Sequence, residues 1–192
     1  SARSILVVAA DCRLGEPESM WEQMLGDGAG AVLISNHGPA ALRGFHSVAG
    51  EQIGVWRRGE DRYIRSFEGK AETQYGYVRS AEEAGKAVLS GEKVDPGSVT
   101  RGVFTATDPR SSWTVADTLG VDRSRLQDTM FMFVGYPGVP LVLMMLAGAL
   151  EGASAGERLL VALNFTGGAA SLPLPAWAAA GEALLSTHAD RA

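Results

Sequence analysis

The sequence contains a single cysteine, Cys12, and only three histidines among 192 residues. One cysteine excludes an internal disulfide and any metal site built from clustered cysteines, and it fits a reducing, cytoplasmic setting. The chain has no block of lysine or arginine and a formal net charge of −5, which argues against nucleic acid or an anionic membrane as a partner. The apolar segment 139–150 is shorter than the ~20 residues that span a bilayer. We therefore expect a protein without a metal centre, a nucleic-acid site or a membrane span.

An apolar content of 46% and a charged content of 20% are typical of a folded globular protein. Short apolar and β-branched runs predict strands at 4–10, 29–35, 41–48, 99–105 and 159–163. Helical spacing predicts helices at 72–89, from a cap at Ser111 or Ser112 to Gly120, after Asp122, at 139–150 and at 176–187. Strands that alternate with helices in this way predict an α/β fold in layers.

The segment 139–150 reads Val-Pro-Leu-Val-Leu-Met-Met-Leu-Ala-Gly-Ala-Leu and is apolar on every face. A helix without a polar face has to be enclosed on all sides. A central helical layer between two sheets would enclose it, and such a layer normally needs a second helix of similar composition. Since the sequence offers only one such helix, its burial alone predicts a missing structural half.

An ordered set of short motifs extends from the start of the sequence to about Ala170. They are Leu6–Asp11 with Gly26–Ala31, Val55–Arg58 with Asp61 and Arg65–Glu68, Gly76-Tyr77, Val103-Phe104, Leu119-Gly120, Val134–Gly138 and Phe165–Gly168. In this order and spacing the chain resembles the thiolase superfamily, in its hydroxymethylglutaryl-CoA synthase-like and ketoacyl synthase III-like condensing enzymes. The resemblance covers their C-terminal half and the last two strands of the N-terminal half.

The resemblance implies a thiolase-like layered αβαβα fold, of which this chain supplies about half. Residues 1–36 would end the N-terminal half and residues 37–170 would form the C-terminal half. Residues 171–192 are predicted to form a C-terminal helical extension.

Enzymes of this superfamily hold an acyl group on a cysteine and stabilise the oxyanion with a histidine and often an asparagine. The cysteine belongs on the missing half, and Cys12 does not occupy its place, so we interpret Cys12 as a structural or incidental thiol. Thr105 stands where the histidine is expected, with Asp108 three residues later, and Tyr136 replaces the asparagine. These three are the candidate catalytic residues. The pocket candidates are Phe165, Gly167 and Gly168, from the glycine-rich turn.

Each candidate has a structural alternative. Asp108 is either a proton-transfer group or the cap of the following helix. Tyr136 is either a hydrogen-bond donor in the site or a packed core residue. The arginines Arg57, Arg58 and Arg65 either bind the phosphates of CoA or belong to a solvated loop or subunit contact.

The first functional hypothesis is a subunit of a split thiolase-like acyltransferase that makes or breaks a carbon–carbon bond. An acyl-CoA or acyl-carrier thioester would be the substrate, with no cofactor and no metal. The implied partners are an N-terminal-half chain that carries the cysteine, an OB-fold or zinc-ribbon protein, and an acyl carrier protein. The alternative hypothesis is a non-catalytic, degenerate subunit that scaffolds an active partner, and a third is one fragment of a nicked full-length enzyme.

Overall fold

A computed structural model of the chain describes residues 4–50, 54–66, 72–106 and 108–162. Its strands and helices, in chain order, are β1 (Ile5–Cys12), α1 (Met20–Met24), β2 (Asp27–Ile34), a π-helical segment (Glu72–Val78), α2 (Arg79–Gly91), β3 (Arg101–Phe104), α3 (Pro109–Leu119), α4 (Phe131–Val134), α5 (Pro140–Glu151) and β4 (Leu159–Ala162). Short 3₁₀ turns lie at Pro96–Ser98 and Arg123–Arg125.

The first sheet is an antiparallel pair, in which Ile5 of β1 faces Ile34 of β2 and Cys12 faces Asp27. Side chains alternate strictly between the two faces, as the period of a strand requires. The inner face is half-buried and packs on α5, while the outer face is exposed. The predicted strands at 4–10 and 29–35 are confirmed, and both are slightly longer than predicted.

Small residues on the inner face of β2 let α5 approach closely. A Cβ added to Gly30 would lie 2.7 Å from Cβ of Leu143, and one added to Gly28 would lie 2.9 Å from Sδ of Met144. Gly28 and Gly30 are therefore explained by strand-to-helix packing.

The second sheet pairs β3 with β4 in parallel, with Val103 opposite Val161. Helices α2 and α3 cover this sheet, and they meet where Gly85 of α2 lies against the side chain of Leu119. Helix α5 packs against all four strands, so it forms a layer between the two sheets. The predicted layered α/β architecture is thus observed across the described residues.

The enclosure of α5 differs in part from the prediction. Leu141, Val142, Met145 and Ala149 are fully buried by the chain's own strands, so most of the cover predicted to come from outside is internal. Ala147 remains exposed, and the neighbouring Met144, Leu146 and Leu150 are only half-buried.

The larger exposed apolar surface lies on the outer face of the first sheet. Leu6, Val8 and Leu33 are 62%, 61% and 64% exposed, and Leu6 is directly opposite Leu33 in the ladder. This surface, named the outer face below, is continued by small residues, Ala10, Ala29 and Ala31.

Two predictions of local structure were wrong. Residues 41–48 are not a strand: Leu42 and Phe45 are exposed, and the segment has no hydrogen-bonded neighbour within the described part of the chain. Helix α3 does not begin at a serine cap but at Pro109, with Asp108 as its cap. Proline suits the first helical position because its fixed φ fits the helix and its missing N–H would have no partner there. The predicted helix at 176–187 lies outside the described residues.

Candidate functional site

The segment Gly135–Gly138 is fixed against the start of β2. The Tyr136 N–H donates to the Met24 carbonyl at 2.7 Å, and the Gly26 N–H donates to the Tyr136 carbonyl at 3.4 Å. Gly135 and Gly138 have φ of 65° and 81°, a region that favours glycine. The turn thereby places a buried Tyr136 just before the N-terminus of α5.

A buried arginine packs on the ring of Tyr136. The guanidinium carbon of Arg13 lies 5.5 Å from the centre of that ring, and its Nε donates to a carboxylate oxygen of Asp11 at 2.6 Å. The Arg13 side chain is only 9% exposed, and its Nη1 has no hydrogen-bond partner among the described residues. A Cβ at position 138 would collide with the guanidinium, so Gly138 also makes room for Arg13.

Thr105 directly follows β3, and Asp108 lies three residues further along the chain, as predicted. Thr105 is buried at the end of the strand. Asp108 accepts hydrogen bonds from the Arg110 N–H at 2.9 Å, the Ser111 N–H at 3.1 Å and the Ser111 hydroxyl at 2.5 Å. These contacts are those of a helix cap and favour the structural interpretation of Asp108 over proton transfer.

Tyr77 joins these residues, although the sequence did not mark it as a site residue. It is the second-last residue of the π-helical segment and is 9% exposed. Burial, reinforced by the charges of Tyr136 and Asp108, raises the pKa of Tyr77 far above its ordinary value. Tyr136 and Asp108 therefore lie within electrostatic range of Tyr77.

The three candidate CoA-binding arginines lie elsewhere, around Trp56. Arg58 and Arg65 both donate to the carboxylate of Asp61, at 3.1 and 2.9 Å, and both guanidinium groups stack on the Trp56 ring. The hydrogen bond from Arg58 is the main reason that the pKa of Asp61 is lowered. Arg57 instead donates a long bond of 3.4 Å to the Cys12 carbonyl, so it is the least engaged of the three.

Cys12 lies at the exposed end of β1. A hydrogen bond to Asp27 and the charge of that carboxylate raise the pKa of the thiol. A nucleophilic cysteine needs the opposite shift, toward the thiolate. The interpretation of Cys12 as an incidental thiol is consistent with this environment.

The pocket candidates Phe165, Gly167 and Gly168 lie outside the described residues. In the described part of the chain, no group of three or more histidine, cysteine, aspartate or glutamate side chains is placed to hold a metal ion. Nor does any helix within those ranges have the length and apolarity to cross a membrane.

No family model matches the sequence, and no curated protein matches it. Solved structures do match the arrangement of strands and helices described above. The chain superposes on 3-oxoacyl-(acyl carrier protein) synthase III from Pseudomonas aeruginosa PAO1 with a TM-score of 0.66 and 21% identity, covering 82% of this chain and 53% of that one. The fold is that of the thiolase-like condensing enzymes.

Two further structures support this condensing-enzyme fold. An HMG-CoA synthase complexed with CoA matches with a TM-score of 0.65 and 16% identity, over 82% of this chain and 45% of that one. A tetronic acid condensing enzyme matches with a TM-score of 0.63 and 20% identity, over 83% and 55%. The chain thus spans about half the length of the condensing enzymes that it matches, and the predicted fold class is confirmed.

Proposed function

We propose that this chain is one subunit of a split thiolase-like acyltransferase, in which a partner chain carries the nucleophilic cysteine. The partner thiolate would attack an acyl-CoA or acyl-carrier thioester, form an acyl–cysteine thioester and release the thiol of the donor. A second thioester, after losing an α-proton to a base of the assembly or CO2 from its α-carbon, would attack the acyl carbonyl with that carbon. This forms the carbon–carbon bond and expels the cysteine as a thiolate; cleavage is the reverse.

The outer face is the observation that carries the proposal. Leu6, Val8 and Leu33 form an apolar surface on a two-stranded sheet whose other face is already packed on α5. Contiguous apolar surface of this kind favours a protein contact. The condensing enzymes that match the chain contain about as much chain again, which supports a thiolase-like half as the occupant.

This chain's contribution to the chemistry would centre on Tyr136. Its position replaces the asparagine of the family, and a phenol can donate a hydrogen bond to a developing oxyanion. Thr105 would line the same pocket from the end of β3, together with the Phe165, Gly167 and Gly168 turn. Asp108 is assigned to the cap of α3, because its carboxylate is already occupied by three hydrogen bonds.

The substrate carrier and further partners belong to the same proposal. Arg57 is the arginine best able to bind a CoA phosphate, since Arg58 and Arg65 are already paired with Asp61. An acyl carrier protein, or an OB-fold or zinc-ribbon protein that delivers the thioester, would complete the assembly. We place it in the cytoplasm, which the single cysteine supports.

Native mass spectrometry of the material purified from its own host tests the proposal. We expect a heteromer whose second chain carries a cysteine at the start of a helix, and acyl transfer by that heteromer. A monomer of this chain with no acyl transfer would contradict the proposal. An intact mass showing both halves in one polypeptide would instead identify a fragment of a longer enzyme.

A second function, a scaffold without catalytic residues, is favoured by the substitutions at the two key positions. Thr105 and Tyr136 stand where the family has its histidine and asparagine, and Asp108 serves as a cap. Tyr136→Phe in the reconstituted heteromer separates the two functions. A loss of turnover with unchanged assembly supports catalysis by this chain, and unchanged turnover supports the scaffold.

A further inference from the structure

The hydroxyl of Tyr77 is buried and has no hydrogen-bond partner in the described part of the chain. The side chain is 9% exposed, and its Oη makes no hydrogen bond to any described residue. A buried polar group normally finds a partner, because leaving it unsatisfied costs free energy. The Tyr77 hydroxyl therefore needs an explanation, and a hydrogen bond to a ligand oxygen is one.

The backbone around Tyr77 points to the same explanation. Tyr77 lies in a seven-residue π-helical segment, Glu72–Val78, which continues directly into α2. π-Helical turns are rare and are frequently found at functional sites. Tyr77 is the second-last residue of this segment, and its side chain belongs to the same core cluster as Phe104, the last residue of β3, and Val115.

The neighbours of Tyr77 determine what its hydroxyl can do. Desolvation is the largest cause of its raised pKa, and the charges of Tyr136 and Asp108 add to it. The hydroxyl consequently keeps its proton across the working pH range, so it can donate a hydrogen bond but cannot serve as a base.

We propose that Tyr77 is a further catalytic residue, whose hydroxyl donates a hydrogen bond to the carbonyl oxygen of the acyl thioester beside Tyr136. The inference rests on the proposed acyltransferase function and deepens it. Two phenols would then supply the donors that the family takes from histidine and asparagine. A carbonyl oxygen suits this place better than an anionic group, because Asp108 already contributes negative charge to the neighbourhood.

Tyr77→Phe tests the inference, because it removes only the hydroxyl and leaves the ring in place. The variant is purified from its own host in the assembly that the wild type forms, with Tyr63→Phe as the control. Tyr63 loses the same atom, but its ring stacks against Arg62. Two measurements are made: the melting temperature, and binding of acetonyl-CoA, a ketone analogue of acetyl-CoA that cannot transfer an acyl group.

We expect Tyr77→Phe to melt at the wild-type temperature or above it, because the lost hydroxyl has no hydrogen-bond partner among the described residues. Its affinity for the ketone analogue should fall about tenfold, the loss of roughly one good hydrogen bond. Turnover should fall about 100-fold, as on removal of one oxyanion donor. Tyr63→Phe should change neither binding nor turnover.

The outcomes that would overturn the inference are distinct. A lower melting temperature in Tyr77→Phe would mean that the hydroxyl has a structural partner. Equal binding of the analogue by the wild type and Tyr77→Phe would overturn the inference alone. No binding and no turnover by the wild type would overturn the acyltransferase proposal, and this inference with it.

Discussion

Replacing Leu33 by aspartate should break the predicted contact of the outer face. Fully burying a leucine or valine stabilises a contact by about 1.5–3 kcal/mol. Leu6, Val8 and Leu33 are each about 60% exposed, so burying the remainder gives about 4 kcal/mol for the three together. That free energy corresponds to roughly a 1,000-fold effect on the dissociation constant.

Leu33→Asp removes about a third of this gain and adds the cost of burying a carboxylate among apolar groups. We expect the affinity for the partner to fall by at least about 100-fold, measured by isothermal titration calorimetry or analytical ultracentrifugation. The isolated chain should lose no more than about 1 kcal/mol, because Leu33 makes its contacts on the exposed side of the sheet.

The matched control is Leu42→Asp, since Leu42 is 74% exposed and lies outside the strands. This variant should assemble like the wild type. Wild-type affinity in Leu33→Asp would refute the assignment of the outer face as the contact. Equal weakening by Leu42→Asp would show that added charge, rather than the position, is responsible.

Three further predictions concern packing, capping and the thiol. Gly30→Val should lower the free energy of unfolding in urea by about 2 kcal/mol, because the new side chain overlaps α5. The control Ala31→Val, on the outer face, should be nearly neutral. Equal effects of the two substitutions would contradict the packing of β2 on α5. Asp108→Ala should cost about 1 kcal/mol of stability and Asp108→Asn distinctly less, and an identical loss in both would argue against a capping role. Asp27→Asn should lower the pKa of Cys12, so the thiol should react with iodoacetamide at pH 8 faster than in the wild type. An unchanged rate would show that the Asp27 carboxylate does not raise the pKa of Cys12.

Local sequence patterns predicted the strands and the central helix, because each pattern has a single physical origin. Apolar runs of strand length predicted β1 and β2. The apolar helix 139–150 correctly indicated a central layer. Its cover was misjudged because a sequence does not show how much of a helix its own sheets enclose, and four strands reach α5 here.

The candidate site was only partly predictable. Thr105 was found from the motif that ends β3, and Tyr136 from the Val134–Gly138 motif, which lies between α4 and α5. Arg13 lies in none of the motifs, and the Gly76-Tyr77 motif indicates the fold rather than a site residue. Both side chains reach the site only through tertiary packing between segments that are far apart in the sequence. The false strand at 41–48 shows the same limit, since β-propensity forms a strand only where a neighbour offers a ladder.

The parallel pairing of β3 with β4 has a consequence for how the chain folds. The Thr100 hydroxyl bonds to the Arg158 carbonyl across a sequence separation of 58 residues, and the strands beside them pair in the same register. Contacts between residues this far apart in the sequence form late in folding. The chain loses loop-closure entropy before the hydrogen bonds between β3 and β4 compensate for that loss. During synthesis, β1 and β2 can form their hairpin as soon as they leave the ribosome, whereas β3 must wait for nearly the whole described chain to emerge. We therefore expect refolding to show an early hairpin and a slow step that coincides with docking of the last strand.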